Sequence, residues 1–252
     1  MYKVICFDFD DVIIDTNLIL RLGERFGNRL KELKYVIDFL LHAKNPRTFS
    51  ADFHKAAKMA RGMPFEKLKI LADHMRLTHG VRGTLKKLYD DGYKLSIISA
   101  NDRNLINYIL DKNKINFFDS IFASHLETHN GILTGKLSGK VIKSEKKSVL
   151  NDVKNLYNVQ NREIMFVADG LTDIPLFKLL GHGIFFCPNI ITKTIIYRDP
   201  VLTKLEREKK IFIVEDKDLQ EILPFIDSKY EKKHNIRKWY RNFWKLKFRR
   251  SK

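Results

Sequence analysis

Cysteine is scarce in this chain: Cys6 and Cys187 are the two present, far apart and each in an apolar setting. Neither belongs to a pair with the spacing of a zinc site or a disulfide framework, so both are expected to be reduced packing residues in a cytosolic protein. Long apolar runs are also missing, and nothing approaches the roughly 18 consecutive apolar residues of a membrane-spanning helix. The N-terminus lacks a basic segment leading into an apolar stretch and a small-residue cleavage site, so no targeting segment is expected. No internal repeat or low-complexity linker divides the chain, which argues against an array of repeated units.

Acidic residues are in short supply as well, 30 against 47 Lys and Arg, and the net charge is +17. The excess is uneven. Residues 228–252 hold eleven basic residues and one acid, Glu231, leaving the other 227 residues to supply +7. What the chain does have is a 44 % apolar content over 252 residues, enough for a real core in one large domain or a core domain with a smaller insert.

"KVICF" near the start is a short apolar run of β-formers and predicts a buried strand. Residues 17–76 differ, with apolar residues three and four apart and breaks at "NPRT" and "GMP", which predicts several helices. After them the pattern alternates. "TLKKLYDDG", "RNLINYILDKN", "EKKSVLNDVKNLYNV" and "DIPLFKLLG" predict helices. "YKLSIISA", "SIFASHLE", "IMFVAD", "HGIFFC" and "IFIVED" predict strands, with a hairpin in "GILTGKLSGKV" and "LQEILPFI" closing the series. Alternating strands and helices mean an α/β fold, a parallel sheet covered on both faces, with the helical block inserted after the first strand as a lid. The expected division is a core of residues 1–15 and 78–227, a helical cap of 16–77 and a basic aromatic tail of 228–252.

Ligands of such sheets bind beyond the carboxyl ends of the strands. Three strands here end in residues suited to chemistry: the first runs into Asp8 and Asp10, the second into Ser99, and "IMFVA" into Asp169 with Asp173 a turn later. Any one of them is a common cap or turn residue. Agreement among three strand ends is harder to assign to capping.

These residues resemble the haloacid dehalogenase (HAD) superfamily of phosphohydrolases, whose signature is a DxDx[TV] strand end, a strand ending in Ser or Thr, a Lys, and a DGxxD-type acidic motif. The chain reads "DFDDV", "IISAN", a Lys near residue 146, and "VADGLTD", in that order over about residues 1–225. The resemblance implies a Rossmann-like parallel-sheet core with an inserted C1-type helical cap. It also implies a Mg²⁺-dependent phosphatase working through an aspartyl-phosphate. Asp8 is then the nucleophile and Asp10 the general acid and base. Mg²⁺ lies on Asp8, the Asp10 backbone carbonyl, Asp169 and Asp173. Ser99, Ala100, Asn101, Lys146 and Thr172 contact the substrate, with Ser99 and Lys146 in the catalytic set. Among Lys140, Lys143, Lys146 and Lys147, Lys146 falls on the apolar stripe of Val149, Leu150, Val153 and Leu156 or Tyr157, so it points inward, whereas Lys147 falls nearer the polar face.

Within the superfamily the chain is most similar to phosphoserine phosphatases, through its lid, "LETHNGILTGKLSGKVIKSEKK" and "VADGLTDIPLFKLLGHGIFF". It departs from them at Asn17, where that branch has a Glu for the serine ammonium, and at His54, where it has an Arg for the carboxylate. Arg47 and Arg61 lie near in sequence. Ala168, Thr172 and Asp11 replace Gly, Asn, and Gly or Ser. These departures point to a small phosphorylated metabolite other than phosphoserine. Two alternatives stand beside the phosphatase: a phosphomutase or phosphotransferase of the superfamily, and a non-catalytic membrane- or nucleic-acid-binding protein on the same fold. In the tail, Ile236, Trp239, Tyr240, Phe243, Trp244, Leu246 and Phe248 interleave with basic residues. That pattern suits packing on the core, an anionic membrane surface that would make a cytosolic protein peripheral, or nucleic acid.

Overall fold

A computed structural model describes residues 1–16, 54–55, 57–143 and 145–230. Most of the expected cap, including Asn17 and Arg47, and residues 231–252 of the tail lie outside the described residues.

Seven strands form one sheet in the order β4-β3-β2-β1-β5-β6-β7. The strands are β1 (Val4–Phe7), β2 (Lys94–Asp102), β3 (Ser120–His129), β4 (Ile132–Ser138), β5 (Ile164–Ala168), β6 (Gly183–Phe186) and β7 (Ile211–Val214). All neighbours are parallel except β3 and β4. β1 is central, with Phe7 opposite Ile97 on one side and Val167 on the other. Its four residues are fully buried because both faces of the sheet are covered. Burying each large one contributes about 1.5–3 kcal/mol.

Apart from a single turn at Lys140–Lys143, the helices from Phe65 onward are α1 (Phe65–Ala72), α2 (Val81–Asp90), α3 (Arg103–Lys112), α4 (Glu145–Tyr157), α5 (Ile174–Leu180), α6 (Ile190–Arg198), α7 (Pro200–Arg207) and α8 (Leu223–Ile226). Strand side chains alternate between two apolar layers. Ile5, Phe7, Leu95, Ile97, Met165 and Val167 face one, with α1, α2 and α3. Val4, Cys6, Ile98, Phe166 and Ala168 face the other, with α4, α5, α6 and α7. This is the expected Rossmann-like α/β core.

The order of elements follows the sequence reading closely, with three differences. The hairpin turn is Asn130–Gly131, both at positive φ, which suits a two-residue connection between β3 and β4, so the hairpin begins earlier than "GILTGKLSGKV" suggests. Helices α6 and α7 occupy residues 190–198 and 200–207, a stretch for which the sequence pattern predicts no element. Packing also continues into the tail, where Tyr230 is buried, its hydroxyl donates to Asp91, and the Tyr93 hydroxyl donates to Asp227 at 3.0 Å. Those contacts lie at the amino end of β2.

The inserted segment leaves and returns at one place. Ile14 and Leu77 form an antiparallel bridge, Asp15 N–H donates to Arg76 O and Thr78 N–H donates to Ile13 O. On the return path Leu68, Leu71, Ala72 and Met75 belong to the same apolar layer as Ile5 and Phe7. Met63 O accepts from Leu133 N–H and Phe65 N–H donates to Gly131 O, which seats this segment on the β3–β4 hairpin.

Candidate active site

The aspartates of "FDFDDV" sit where β1 stops being a strand. Asp8 N–H still donates to Val167 O at 2.9 Å, continuing the ladder with β5 by one residue. The Phe9 amide then turns back to Asp8 Oδ1 at 2.7 Å. Ile13 and Ile14 both donate to Phe9 O, closing a tight turn whose apolar members Phe9, Val12, Ile13 and Ile14 are wholly buried. With those four facing inward, Asp10 and Asp11 are left at the rim. The sequence places its apolar residues so that only Asp8 of the three is buried.

Lys146 enters this space from the first turn of α4. Val149, Leu150 and Val153 bury the same face of that helix, which carries the Lys146 stem inward. The stripe ends on half-buried Tyr157, since Leu156 is exposed. Lys146 is 5 % exposed, and its Nζ donates to Asp8 Oδ2 at 2.8 Å and to Asp173 Oδ1 at 2.6 Å. Burial works against its charge, but the carboxylates of Asp173 and Asp8 outweigh it and hold the ammonium above its ordinary range. Lys140, one of its rivals, instead pairs with Asp152 at 2.8 Å.

The third element is the end of β5. Asp169 follows Ala168 directly, and a 3₁₀ turn of Leu171–Asp173 brings Asp173 back over it at the start of α5. Carboxylate oxygens of Asp8, Asp169 and Asp173 lie within 4.8 Å of one another. Burial, then the charges of Asp8 and Asp173, push the Asp169 carboxyl well above its ordinary value. Burial also raises Asp173, to about 7, against the pull of Lys146. One ammonium does not balance three carboxylates at this spacing. A hard divalent cation with oxygen ligands does, so the donor set fits Mg²⁺.

The remaining expected residues come from the end of β2, where the register against β3 shifts between Ile98 and Asp102. Ser99 is buried and its Oγ accepts from Asn101 N–H at 3.1 Å. Asn101 Nδ2 donates to Asp10 Oδ1 at 2.8 Å, which ties that oxygen to the end of β2. Ala100 packs its methyl into the apolar layer on the α4 side. Thr172 Oγ1 lies 3.4 Å from Asp173 Oδ2. The structure therefore joins Asp8, Lys146, Asp169 and Asp173 in one group and Asp10 with Asn101 in a second. Among the described residues no hydrogen bond links Ser99 to either carboxylate partner of Lys146.

Two further residues shape the site without having been singled out in the sequence. Lys217, three residues beyond β7, bonds Asp11 Oδ1 at 3.0 Å and Asp15 O at 2.8 Å. Asp11 has φ 55, in the left-handed region that aspartate tolerates better than most residues. Its side chain is thus paired with an ammonium, which accounts for a carboxylate standing where glycine or serine is common. Asp102 is buried with Oδ1 accepting from Leu105 N–H and Oδ2 from Leu126 N–H, tying the end of β2 to α3 and β3. A strand-final "ND" ahead of a helix is a capping signal that marks Asp102, whereas nothing local marks Lys217.

The model for haloacid dehalogenase-like hydrolases matches residues 5–178. The phosphoserine phosphatase of Methanocaldococcus jannaschii is 28 % identical over 225 residues, 89 % of this chain and 97 % of that protein. That of Campylobacter jejuni subsp. doylei is 28 % identical over 230 residues, 90 % of this chain and all of the other. A solved phospho-aspartyl intermediate analogue of phosphoserine phosphatase has a TM-score of 0.71 at 25 % identity and covers 90 % of this chain and 99 % of its own. Among the described residues no helix is long and apolar enough to cross a membrane. With Asp8 and Asp169 at the carboxyl ends of β1 and β5, and Asp173 and the Lys146 of α4 brought to them, the chain belongs to the haloacid dehalogenase-like hydrolases, in their phosphoserine phosphatase-like branch.

Proposed function

We propose that this protein is a Mg²⁺-dependent phosphatase that hydrolyses a small phosphomonoester through a phosphorylated Asp8. The observation that carries the reading is the buried Lys146 bridging Asp8 and Asp173 beside Asp169. The Lys146 ammonium bonds Asp8 Oδ2 and so orients the carboxylate that serves as nucleophile. Asp8, Asp169 and Asp173 would hold the cation. When bound, it neutralises their charge and polarises the phosphoryl oxygens.

The chemistry then runs on the chain's own residues. An Asp8 oxygen forms a bond to phosphorus as the bond to the leaving oxygen breaks, and protonated Asp10 gives its proton to that oxygen. In the second half Asp10, now ionised, takes a proton from water. The water oxygen bonds to phosphorus and Asp8 is released. Ser99 serves as a donor to a phosphoryl oxygen from the end of β2.

For the substrate, the uncharged Asn17 stands where the phosphoserine phosphatases carry a glutamate, which leaves no counter-charge there for an ammonium. A phosphorylated metabolite without the serine amino group fits this better than phosphoserine. The test is Mg²⁺-dependent release of phosphate from p-nitrophenyl phosphate and from a panel of phosphorylated metabolites that includes phosphoserine. Asp8→Asn is expected to abolish turnover on all of them. Full turnover by that variant would end the phosphatase reading, and phosphoserine leading the panel would end the substrate reading alone.

A further inference from the structure

The two aspartates of the first motif are given different hydrogen-bond partners. Asp8 receives an ammonium, Lys146, whereas Asp10 receives an uncharged amide, Asn101. We propose that Asn101 is a positioning residue for Asp10, holding that carboxyl in line with the leaving oxygen, and that it is not primarily a substrate-binding residue. The inference rests on the phosphatase reading above and deepens it.

The geometry is specific. Asn101 is 5 % exposed and lies in the stretch where β2 leaves its ladder with β3. Its neighbours fasten that stretch from both sides. Asn101 N–H donates to Ser99 Oγ, and Asp102 caps α3 while its other oxygen accepts from Leu126 N–H at 2.8 Å. The backbone carrying Asn101 is thereby held, and the side chain spans the gap from β2 to the turn after β1. A carboxylate only accepts, so the amide presents its NH₂ group to Asp10, which settles which end of Asn101 faces it.

Bonding Oδ1 removes the rotation of the Asp10 carboxyl about its Cβ–Cγ bond. The aspartate lies on a rim turn and its side chain is partly exposed, so that rotation is otherwise damped only by whatever else it touches. Proton transfer needs the donor oxygen within about 2.6–3.2 Å of the leaving oxygen, and general acid catalysis is worth about 10²–10⁴-fold when that geometry is met. An amide donor suits the role because it stays bonded to Oδ1 whether or not the other oxygen carries a proton. The atoms balance as in the phosphatase scheme, since Asn101 gives and takes no proton.

The experiment separates positioning from structure by leaving group. Full-length protein, Asn101→Ala and Asn101→Leu, which keeps the branching of asparagine without its hydrogen-bonding atoms, are assayed with Mg²⁺ on p-nitrophenyl phosphate and on phenyl phosphate. The first releases a stable anion that needs little acid assistance, and the second a phenolate that needs more. If Asn101 positions Asp10, both variants lose on the order of tenfold more kcat/KM on phenyl phosphate than on p-nitrophenyl phosphate, with the loss in kcat. Asp10→Asn shows the same skew, larger. Equal losses on the two substrates, or a loss confined to KM, would overturn the proposal and return Asn101 to substrate binding. Thermal melting checks that each variant is folded, and the Leu variant decides if the Ala variant is not. Asp8→Asn runs alongside: turnover surviving in it defeats both readings, and turnover lost in it with equal losses at Asn101 defeats this one only.

Discussion

Replacing Lys146 by methionine tests the charge balance of the site most directly. Methionine keeps much of the length and the apolar stem, so what is lost is the ammonium, 5.9 Å from the Phe166 ring and bonded to Asp8 and Asp173. Removing one partner of a buried ion pair costs about 3–5 kcal/mol, because the other is left charged and unpaired. Here two carboxylates lose the partner and a third, Asp169, lies within the same cluster. For a chain of this size that cost lowers the melting temperature by about 6–20 °C in metal-free buffer at neutral pH. The pH dependence has a definite sign. The Lys146 pKa is raised in the fold, so its stabilisation is fully present below the unfolded value and disappears only as pH rises through the raised one, above the assay range. The slope at lower pH belongs to the carboxylates. Asp173 is raised to about 7, so the folded state keeps a proton that the unfolded chain has released, and metal-free stability falls as pH rises through that window. Without Lys146 the fall is steeper, and the gap between variant and parent closes again toward pH values near ~4, where the unfolded carboxyls also bind protons. Circular dichroism melts in chelator at several pH values give the measurement. A melting temperature within about 2 °C of the parent at neutral pH, below the low end of the range expected for that cost, would refute the account of the site as an unbalanced acidic cluster.

Adding Mg²⁺ to chelator-treated protein is expected to raise its melting temperature, by about 2.7 kcal/mol of stability at a concentration 100 times the dissociation constant, and Asp169→Asn to remove most of that gain. A calorimetric or thermal-shift titration without any response would remove the cation from Asp8, Asp169 and Asp173. At Asp11 the left-handed backbone and the exposed pair with Lys217 make opposing demands. Asp11→Gly is expected to stay within about 1 kcal/mol of the parent in urea unfolding, because a surface pair contributes little and glycine relieves the backbone. Asp11→Val should be less stable by about 1–3 kcal/mol, since a β-branched residue resists φ 55, and equal stability of the two would show that the turn is not held at that conformation. Deleting residues 231–252 should leave phosphatase turnover unchanged, because Tyr230 and Asp227 already fasten the chain at the amino end of β2, across the sheet from the site.

What the sequence could reveal here follows from how locally each feature is encoded. The strand-end aspartates are legible because a buried strand announces itself by an apolar run, and the residues just past its end are then the ones that face the crevice. Lys146 is legible for a related reason: helical periodicity alone says which of several lysines shares a face with Val149, Leu150 and Val153, and all three are buried. Helix α6 escaped because "IITKTIIYR" is crowded with β-branched residues whose propensity points away from helix while packing of Ile196 imposes it, and α7 because Pro200 reads as a break although it stands at the helix's first position, where proline is accepted. Asn101 was placed in the site by its position at a strand end, but its partner depends on the register shift between β2 and β3, which no local pattern records. Lys217 is the extreme case, 206 residues from the aspartate it holds. A pairing of that kind arises only when the sheet order brings the ends of β1 and β7 to the same edge of the crevice. The division is therefore physical. Groups that act through the chain's own periodicity can be read in advance, and groups that steer others across the crevice become visible only once the strands are ordered. Asn101 and Asp10 belong to the second kind, which is why the leaving-group dependence of Asn101→Leu measures something the motif itself does not contain.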